Sequence, residues 1–362
     1  MKVLITGAHF TPAVAVINEL KKYKDTEVVY VGRKTTLEGD KAQSAESQIL
    51  PGLGVKFIPI ITGRLQRSFT IYTIPSLLKI PIGLLQALYI ILSEKPDVIL
   101  SFGGYVAVPT LLAGWLFSIP IIIHEQGIVS GLANRISSVF ADKIAVSFPT
   151  QNPKAILTGN PLRRKMLDGV KLPHPSHASP EAMPAERGVN ILVTGGNQGS
   201  HVINLAVEES LDKLIKIASI IHVTGDNKFG DFERLEKRRS EKYIVKKWIG
   251  EEWGQILKKV DLVVSRAGIN TLNELAYLGI PALVIPIPYL FENEQNKNAK
   301  YFEGLGLAKI LPQSKLSGKS LLENIRLMVD NLDMLKKKAE NAKKIVIPDA
   351  AKRLALETIL MV

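Results

Sequence analysis

The sequence contains no cysteine. That removes disulfides, thiolate metal sites and a cysteine nucleophile, and it fits a reducing cytoplasm. No uncharged run is long enough to cross a bilayer. The most apolar segment, Ile74 to Leu92, is interrupted by Pro75, Lys79 and Pro81. Its uncharged part, Ile80–Leu92, falls short of the roughly 20 residues that a span needs. The opening MKVLITG holds too short an apolar run for a signal peptide and reads as a first strand. There is no GxGxxG, no P-loop, no His/Asp/Glu cluster at metal-ligand spacing and no Ser-His-Asp set with a nucleophile elbow. Rossmann dinucleotide, NTPase, metalloenzyme and hydrolase readings are therefore poor, and no cofactor is expected.

Basic residues are present in excess. Forty-six Lys and Arg stand against 34 Asp and Glu, a formal net charge of +12. Such a surface favours anionic lipid or anionic substrates. Nucleic acid is not an expected partner, because no basic run is interleaved with aromatics. Much of the charge falls in Arg234–Lys247 and Lys336–Lys344, which read as solvated helix faces. The apolar segment 74–92 has two readings. One is a buried helix with an irregular start. The other is a helix that turns apolar surface to a membrane interface, with Arg64, Arg67 and Lys79 near lipid phosphates.

A chain of 362 residues exceeds one typical core, so two domains are expected. Strands alternate with helices, which predicts parallel sheets with crossover helices. Lys2–Thr6 reads as a strand, with Thr11 as N-cap and Pro12 opening a helix through Lys22. Further strands are predicted at Glu27–Val31, Asp97–Ser101 and Pro120–His124. A Pro-, Ser- and Ala-rich stretch, Leu172–Arg187, reads as a linker or surface loop. The pattern then restarts with a strand at Val189–Thr194, a glycine turn, and Ser200 as the cap of a helix that aligns Ile203, Val207, Leu211 and Leu214. The predicted fold is α/β, two doubly wound Rossmann-like domains facing each other across a cleft, with ligands at the carboxyl ends of the strands.

The most informative stretch is Ser265–Glu274. An apolar strand enters it, the chain turns at Gly268, and a helix opens that carries Glu274. A helix N-terminus beyond a strand end binds anions, and a carboxylate beside it suits ribose hydroxyls. The turn Gly195–Gly199 can bring backbone N–H groups onto a diphosphate, or it can be purely structural. His9 sits past the first strand, as a general base or as a residue that orders its turn. His124 reads as a packed structural histidine. Arg163 suits a diphosphate clamp or a surface ion pair.

Together these blocks resemble the MurG-like N-acetylglucosaminyltransferases of glycosyltransferase family 28. The resemblance rests on His9-Phe10-Thr11-Pro12, Phe102-Gly103-Gly104-Tyr105-Val106, His124-Glu125-Gln126 with Gly131-Leu132-Ala133-Asn134, Gly159-Asn160-Pro161-Leu162-Arg163, Gly195–Gly199, and Ser265–Glu274 with Glu294-Gln295. It covers nearly the whole chain, and it is the order and spacing of the blocks that make it specific. It implies a GT-B fold and an inverting transferase of peptidoglycan synthesis that converts lipid I to lipid II. The domains would be 1–163 for the acceptor, 164–188 as linker, 189–348 for UDP-N-acetylglucosamine, and 349–362 as a helix returning to the first. On the donor side it implies Arg163, Gly196, Asn197, Gln198, Gly199, Ile249 (uracil, through its main chain), Ala267, Gly268, Thr271, Glu274 (ribose), Glu294 and Gln295. On the acceptor side it implies Gly7, Tyr105, Glu125, Gln126 and Asn134, with His9 as the catalytic base. The partners would be UDP-N-acetylglucosamine, an undecaprenyl-diphosphate-linked acceptor and an anionic membrane met by the 64–92 region, with the protein peripheral on the cytoplasmic face. The chain departs from the family at Thr6-Gly7-Ala8-His9, where the family carries the longer GGTGGH. A different lipid or glycan acceptor, or a non-catalytic nucleotide-sugar-binding membrane protein, are the alternatives. An epimerase of the related fold gives no reason for the apolar segment.

Overall fold

Strands form where aliphatic residues run together. In β1 (Lys2–Thr6), Val3 and Ile5 pack on one side of the sheet and Leu4 on the other, all fully buried. A parallel sheet covered on both faces requires this pattern. The computed structural model describes residues 1–35, 44–63, 73–163, 188–196, 198–250 and 252–362. The predicted linker Leu172–Arg187 lies outside them.

The chain divides into two units, Met1–Arg163 with Ile347–Val362, and Arg164–Val346. The first holds a seven-stranded parallel sheet in the order β3-β2-β1-β4-β5-β6-β7. Its other strands are β2 (Glu27–Gly32), β3 (Lys56–Pro59), β4 (Val98–Ser101), β5 (Ile121–Glu125), β6 (Lys143–Val146) and β7 (Ala155–Leu157). One face is covered by the helix Phe10–Leu20 and by Leu354 and Ala355 of the helix Ala350–Ile359. Ala87, Ile90 and Ile91 of the helix Thr73–Glu94 cover the other, with Leu111 of the helix Val108–Leu116. An ion pair of 3.1 Å from Lys143 to Glu357 joins β6 to the C-terminal helix.

The second unit holds six parallel strands in the order β10-β9-β8-β11-β12-β13. They are β8 (Asn190–Thr194), β9 (Ser219–Val223), β10 (Tyr243–Lys246), β11 (Leu262–Ser265), β12 (Ala282–Val284) and β13 (Ala308–Ile310). Ile203, Val207, Leu211 and Leu214 of the helix His201–Leu214 are all buried against it, as their spacing predicts. In each sheet the strand order reverses beside the first strand, between β1 and β4 and between β8 and β11. These reversals open crevices at the carboxyl ends, the usual place for ligands in open α/β sheets.

Three local expectations need correction. The first helix starts at Phe10 rather than after Thr11 and ends at Leu20 rather than Lys22, with His9 at the cap position and no side-chain cap. Pro12 is its third residue, tolerated because first-turn N–H groups have no intrahelical partner. Ser200 does hold the cap position, with the extended backbone usual there, but among the described residues its buried hydroxyl has no hydrogen bond, so its side chain caps nothing. Arg234–Lys247 is not a solvated helix. Tyr243–Lys246 is edge strand β10, and Arg234 is drawn inward by Glu208 and by buried Asp231. Lys336–Lys344 does present an exposed lysine face, from which Lys336 reaches Asp261 at 2.5 Å.

Candidate functional site

In the first unit, the loops after β1, β4 and β5 lock together through missing side chains. Gly7 has φ +139°, its carbonyl accepts the Tyr30 hydroxyl at 2.9 Å, and a Cβ on it would stand 2.7 Å from the Phe102 backbone. Ala8 N–H donates to the Gly103 carbonyl at 2.9 Å. A Cβ on Gly104 would meet that of Ala8 at 2.6 Å, and one on Gly103 would collide with Asn134. The Gly-Gly turn is therefore a packing requirement.

His9 stands where this loop enters its helix. It is partly exposed, yet desolvation lowers its pKa to about 4, leaving the imidazole neutral at physiological pH. His124 is fully buried against the Phe102 ring and also lowered to about 4 by burial. Glu125 is an organiser. One of its oxygens accepts the Gly127 N–H at 3.0 Å, and the other accepts Ser130 Oγ at 2.7 Å and Asn134 Nδ2 at 2.8 Å. Burial raises its pKa, opposed by these bonds. Gln126 is buried beside it, and its side-chain oxygen has no partner among the described residues. The Tyr105 hydroxyl accepts a hydrogen bond from Arg33 at 2.8 Å, with the guanidinium over the ring. Arg33 at the end of β2 carried no sequence signal. Arg163, half-buried, is the last described residue of this unit's main segment.

In the second unit, Gly195–Gly199 turns tightly. The Gly199 N–H donates to the Gly196 carbonyl at 3.0 Å, and the Gly196 N–H to Thr194 Oγ1 at 3.1 Å. A Cβ on Gly199 would collide with the Thr224 carbonyl after β9, so the two loops abut. Gly196, with φ +87°, has nothing within 4 Å of its missing Cβ, and neither has Gly268. Both therefore present open backbone, each just ahead of a helix N-terminus, where N–H groups favour an anion. Gln198 lies in this turn, and Asn197 falls outside the described residues.

Behind the glycine turn lies a buried polar cluster that the sequence reading missed. The Asp231 carboxylate accepts bonds from Asn204 (2.7 Å), Asn227 (2.9 Å), Arg234 (2.6 Å) and His201 (2.9 Å). Burial opposes its charge, but these bonds hold its pKa below the ordinary carboxylate value. Asn204 also donates to the Thr224 carbonyl at 3.0 Å and faces His222 Nε2 at 3.0 Å. Because Asn204 turns its oxygen to His222, the ring donates from Nε2. Burial lowers its pKa to about 3, so the ring is neutral and Nδ1 accepts from the Tyr243 hydroxyl at 2.8 Å.

On the other side of the β8–β11 reversal, Glu274 projects from the helix Ile269–Leu278 and is 3% exposed. Trp253 Nε1–H donates to its Oε2 at 2.8 Å. Ile249, buried, lies four residues before Trp253. The Ala267 carbonyl accepts Asn298 Nδ2 at 3.2 Å, and Thr271 is half-buried on the first turn beyond Gly268. Glu294 opens the helix Glu294–Gly304 after two residues in left-handed conformation, Glu292 and Asn293. Gln295 Oε1 accepts the Ile287 N–H at 3.0 Å, tying this helix to the chain beyond β12. Hydrogen bonds or close packing thus link the glycine turn to the loop after β9, Glu274 to Trp253, and Gln295 to the chain after β12. Among the described residues no group of three or more His, Asp or Glu could hold a metal ion.

The helix Thr73–Glu94 bears on the reading of the apolar segment as a buried helix. Leu78, Ile82, Leu85, Tyr89 and Leu92 recur at helical spacing and are all exposed, Leu85 at 67% and Tyr89 at 72%. Buried Ala87, Ile90 and Ile91 lie on the opposite face. The helix is therefore not buried all round. Among the described residues no helix is long and apolar enough to cross a membrane. Arg64 and Arg67 lie outside the described residues.

Similarity to known proteins agrees with this geometry. A curated relative from Clostridium botulinum (strain Loch Maree / Type A3) is 34% identical over 358 residues, 95% of this chain and 96% of its own. It is named UDP-N-acetylglucosamine--N-acetylmuramyl-(pentapeptide) pyrophosphoryl-undecaprenol N-acetylglucosamine transferase. The crystal structure of Acinetobacter baumannii MurG shares the fold, with a TM-score of 0.70 at 24% identity, covering 99% of both chains. The UDP-GlcNAc 2-epimerase from Neisseria meningitidis shares it too, with a TM-score of 0.62 at 17% identity, covering 99% of this chain and 100% of its own, so fold alone does not choose the reaction. The glycosyltransferase family 28 N-terminal domain matches residues 6–146, and the family's C-terminal domain matches 190–354. With both of its characteristic domains present in order, the chain belongs to glycosyltransferase family 28 and has the GT-B fold.

Proposed function

We propose that the chain transfers N-acetylglucosamine from UDP-N-acetylglucosamine to the lipid-diphosphate-linked N-acetylmuramyl-pentapeptide, making lipid II. The observation that carries this reading is the carboxyl edge of the second sheet. There an open glycine turn before one helix and a buried carboxylate on another flank the β8–β11 reversal. This arrangement suits a diphosphate and a ribose together, and the similarity to the Clostridium botulinum transferase along 95% of the chain supplies the sugar and acceptor.

In this reading Glu274 takes the ribose hydroxyls and the main chain at Ile249 reads the uracil. Gly196, Asn197, Gln198 and Gly199, with Arg163, face the diphosphate. Ala267, Gly268 and Thr271 line the same helix start, and Glu294 and Gln295 face the sugar. The acceptor hydroxyl attacks the anomeric carbon and the bond to the UDP oxygen breaks, with inversion. Neutral His9 takes the hydroxyl proton. N–H groups at the helix start and Arg163 take up the charge that develops on UDP. Gly7, Tyr105, Glu125, Gln126 and Asn134 shape the acceptor side. Glu125 and Asn134 do so by holding the loop after β5, through the bonds described above. The outward stripe from Leu78 to Leu92, with Lys79 beside it, rests on an anionic membrane, and the protein is peripheral on the cytoplasmic face.

Incubation with labelled UDP-N-acetylglucosamine and lipid I, followed by product analysis, tests the reading. Labelled lipid II is expected. UDP binding without release would point to a non-catalytic binding protein. Release only with another acceptor would change the substrate. Conversion of the donor sugar without acceptor would point to an epimerase.

A further inference from the structure

Trp253 heads the short helix Trp253–Leu257, in the crossover that leads from edge strand β10 back to β11. It is 7% exposed, and its indole N–H donates to Glu274 Oε2 at 2.8 Å. We infer that Trp253 is a positioning residue that sets the orientation of the Glu274 carboxylate and with it the preference of the site for a hydroxylated ribose. The inference rests on the reading of Glu274 as the ribose-binding group.

Three physical points support it. A carboxyl group that is 3% exposed needs a hydrogen-bond partner, because an unpaired buried polar group is costly. Indole offers a single N–H and no acceptor, on a rigid ring with two side-chain torsions, so it fixes where the oxygen it holds must lie. The donor is also neutral. It adds no positive charge beside the carboxyl group, so it directs the group without forming a full ion pair with it. Trp253 also lies four residues beyond Ile249 on the same connection, so base and ribose recognition share one short segment.

The test is calorimetric titration of the full chain with UDP and with 2′,3′-dideoxy-UDP. The native protein should prefer UDP by at least about tenfold, the equivalent of one good hydrogen bond. In Trp253→Phe that preference should fall by about five- to tenfold while affinity for the dideoxy nucleotide stays within about twofold. Equal weakening of both nucleotides would make Trp253 a packing residue only and overturn the inference. So would a Trp253→Phe protein that keeps the native preference. A native protein with no preference would overturn the ribose reading itself, which separates the two failures. Should Phe leave the fold unstable, β-(3-benzothienyl)alanine at position 253 keeps the bicycle and removes only the N–H, and the same two ratios decide.

Discussion

His124 Nε2 lies 3.1 Å from the carbonyl oxygen of Gly159, so a fully buried imidazole ties the end of β5 to the turn after β7. Its Nδ1 is buried without a partner among the described residues, and a proton there would find no acceptor. Burial lowers His124 to about 4, and His222 in the second unit to about 3. Unfolded histidine titrates near 6.5. Between those values the unfolded chain binds more protons than the folded one, so stability rises with pH in that window. The contribution is complete above about 6.5 and fades as pH falls toward 4. These two groups alone give a slope of roughly 2–3 kcal/mol per pH unit near pH 5; His9, also lowered, adds to it, and Glu125, whose raised pKa acts with the opposite sign, lessens it. Urea unfolding at pH 7, 6 and 5 checks this, and a flat series would contradict it.

His9 works as a base only while unprotonated. With its pKa lowered to about 4, the acid limb of kcat/KM is expected nearer pH 4 than pH 6.5. His9→Ala should cut turnover by about 10²- to 10⁴-fold with UDP affinity retained. A variant at full rate would remove His9 from the reaction.

Glu274→Ala should weaken UDP binding by more than ~1 kcal/mol, because a hydrogen-bonding group is lost. Calorimetric titration measures it, and unchanged affinity would dismiss the ribose role.

The glycine turn offers a paired comparison. Gly199→Ala places a Cβ against the Thr224 carbonyl at φ +74° and should destabilise the fold by about 1–3 kcal/mol. Gly196→Ala meets no neighbour, so the fold should lose only the backbone strain of about 1–2 kcal/mol while UDP-N-acetylglucosamine binding drops. Thermal melts and donor titrations of both variants separate packing from ligand approach.

Leu85→Glu with Tyr89→Glu should abolish sedimentation with anionic vesicles and leave the thermal midpoint nearly unchanged, since both side chains are exposed. Retained vesicle binding would move the membrane face elsewhere.

Sequence made β1, β2, β4, β5, β8 and β11 legible because they are short apolar runs, whereas β10 was hidden in a charged stretch that read as a helix face. The second glycine loop and Glu274 were legible for the same reason, each sitting just past such a run. Local bonding patterns were not. Asp231 and Trp253 come from segments with no motif, and their partners Asn204 and Glu274 lie 27 and 21 residues away. Arg33 meets Tyr105 across 72 residues. Ser200 reads as a cap by residue type and holds the cap position, but among the described residues its buried hydroxyl has no partner, which residue type cannot foretell. The apolar segment 74–92 was ambiguous because hydrophobicity alone does not say which side of a helix the rest of the chain covers.

The return of Ile347–Val362 to the first unit has a consequence for synthesis. Leu354 and Ala355 belong to the same core as Val3 and Ile5. On the ribosome that core stays open until the last helix emerges, whereas the intervening unit is one continuous segment and can close earlier. Chains usually complete their N-terminal unit first as they leave the ribosome. Here the order is reversed: the part made first is the part finished last.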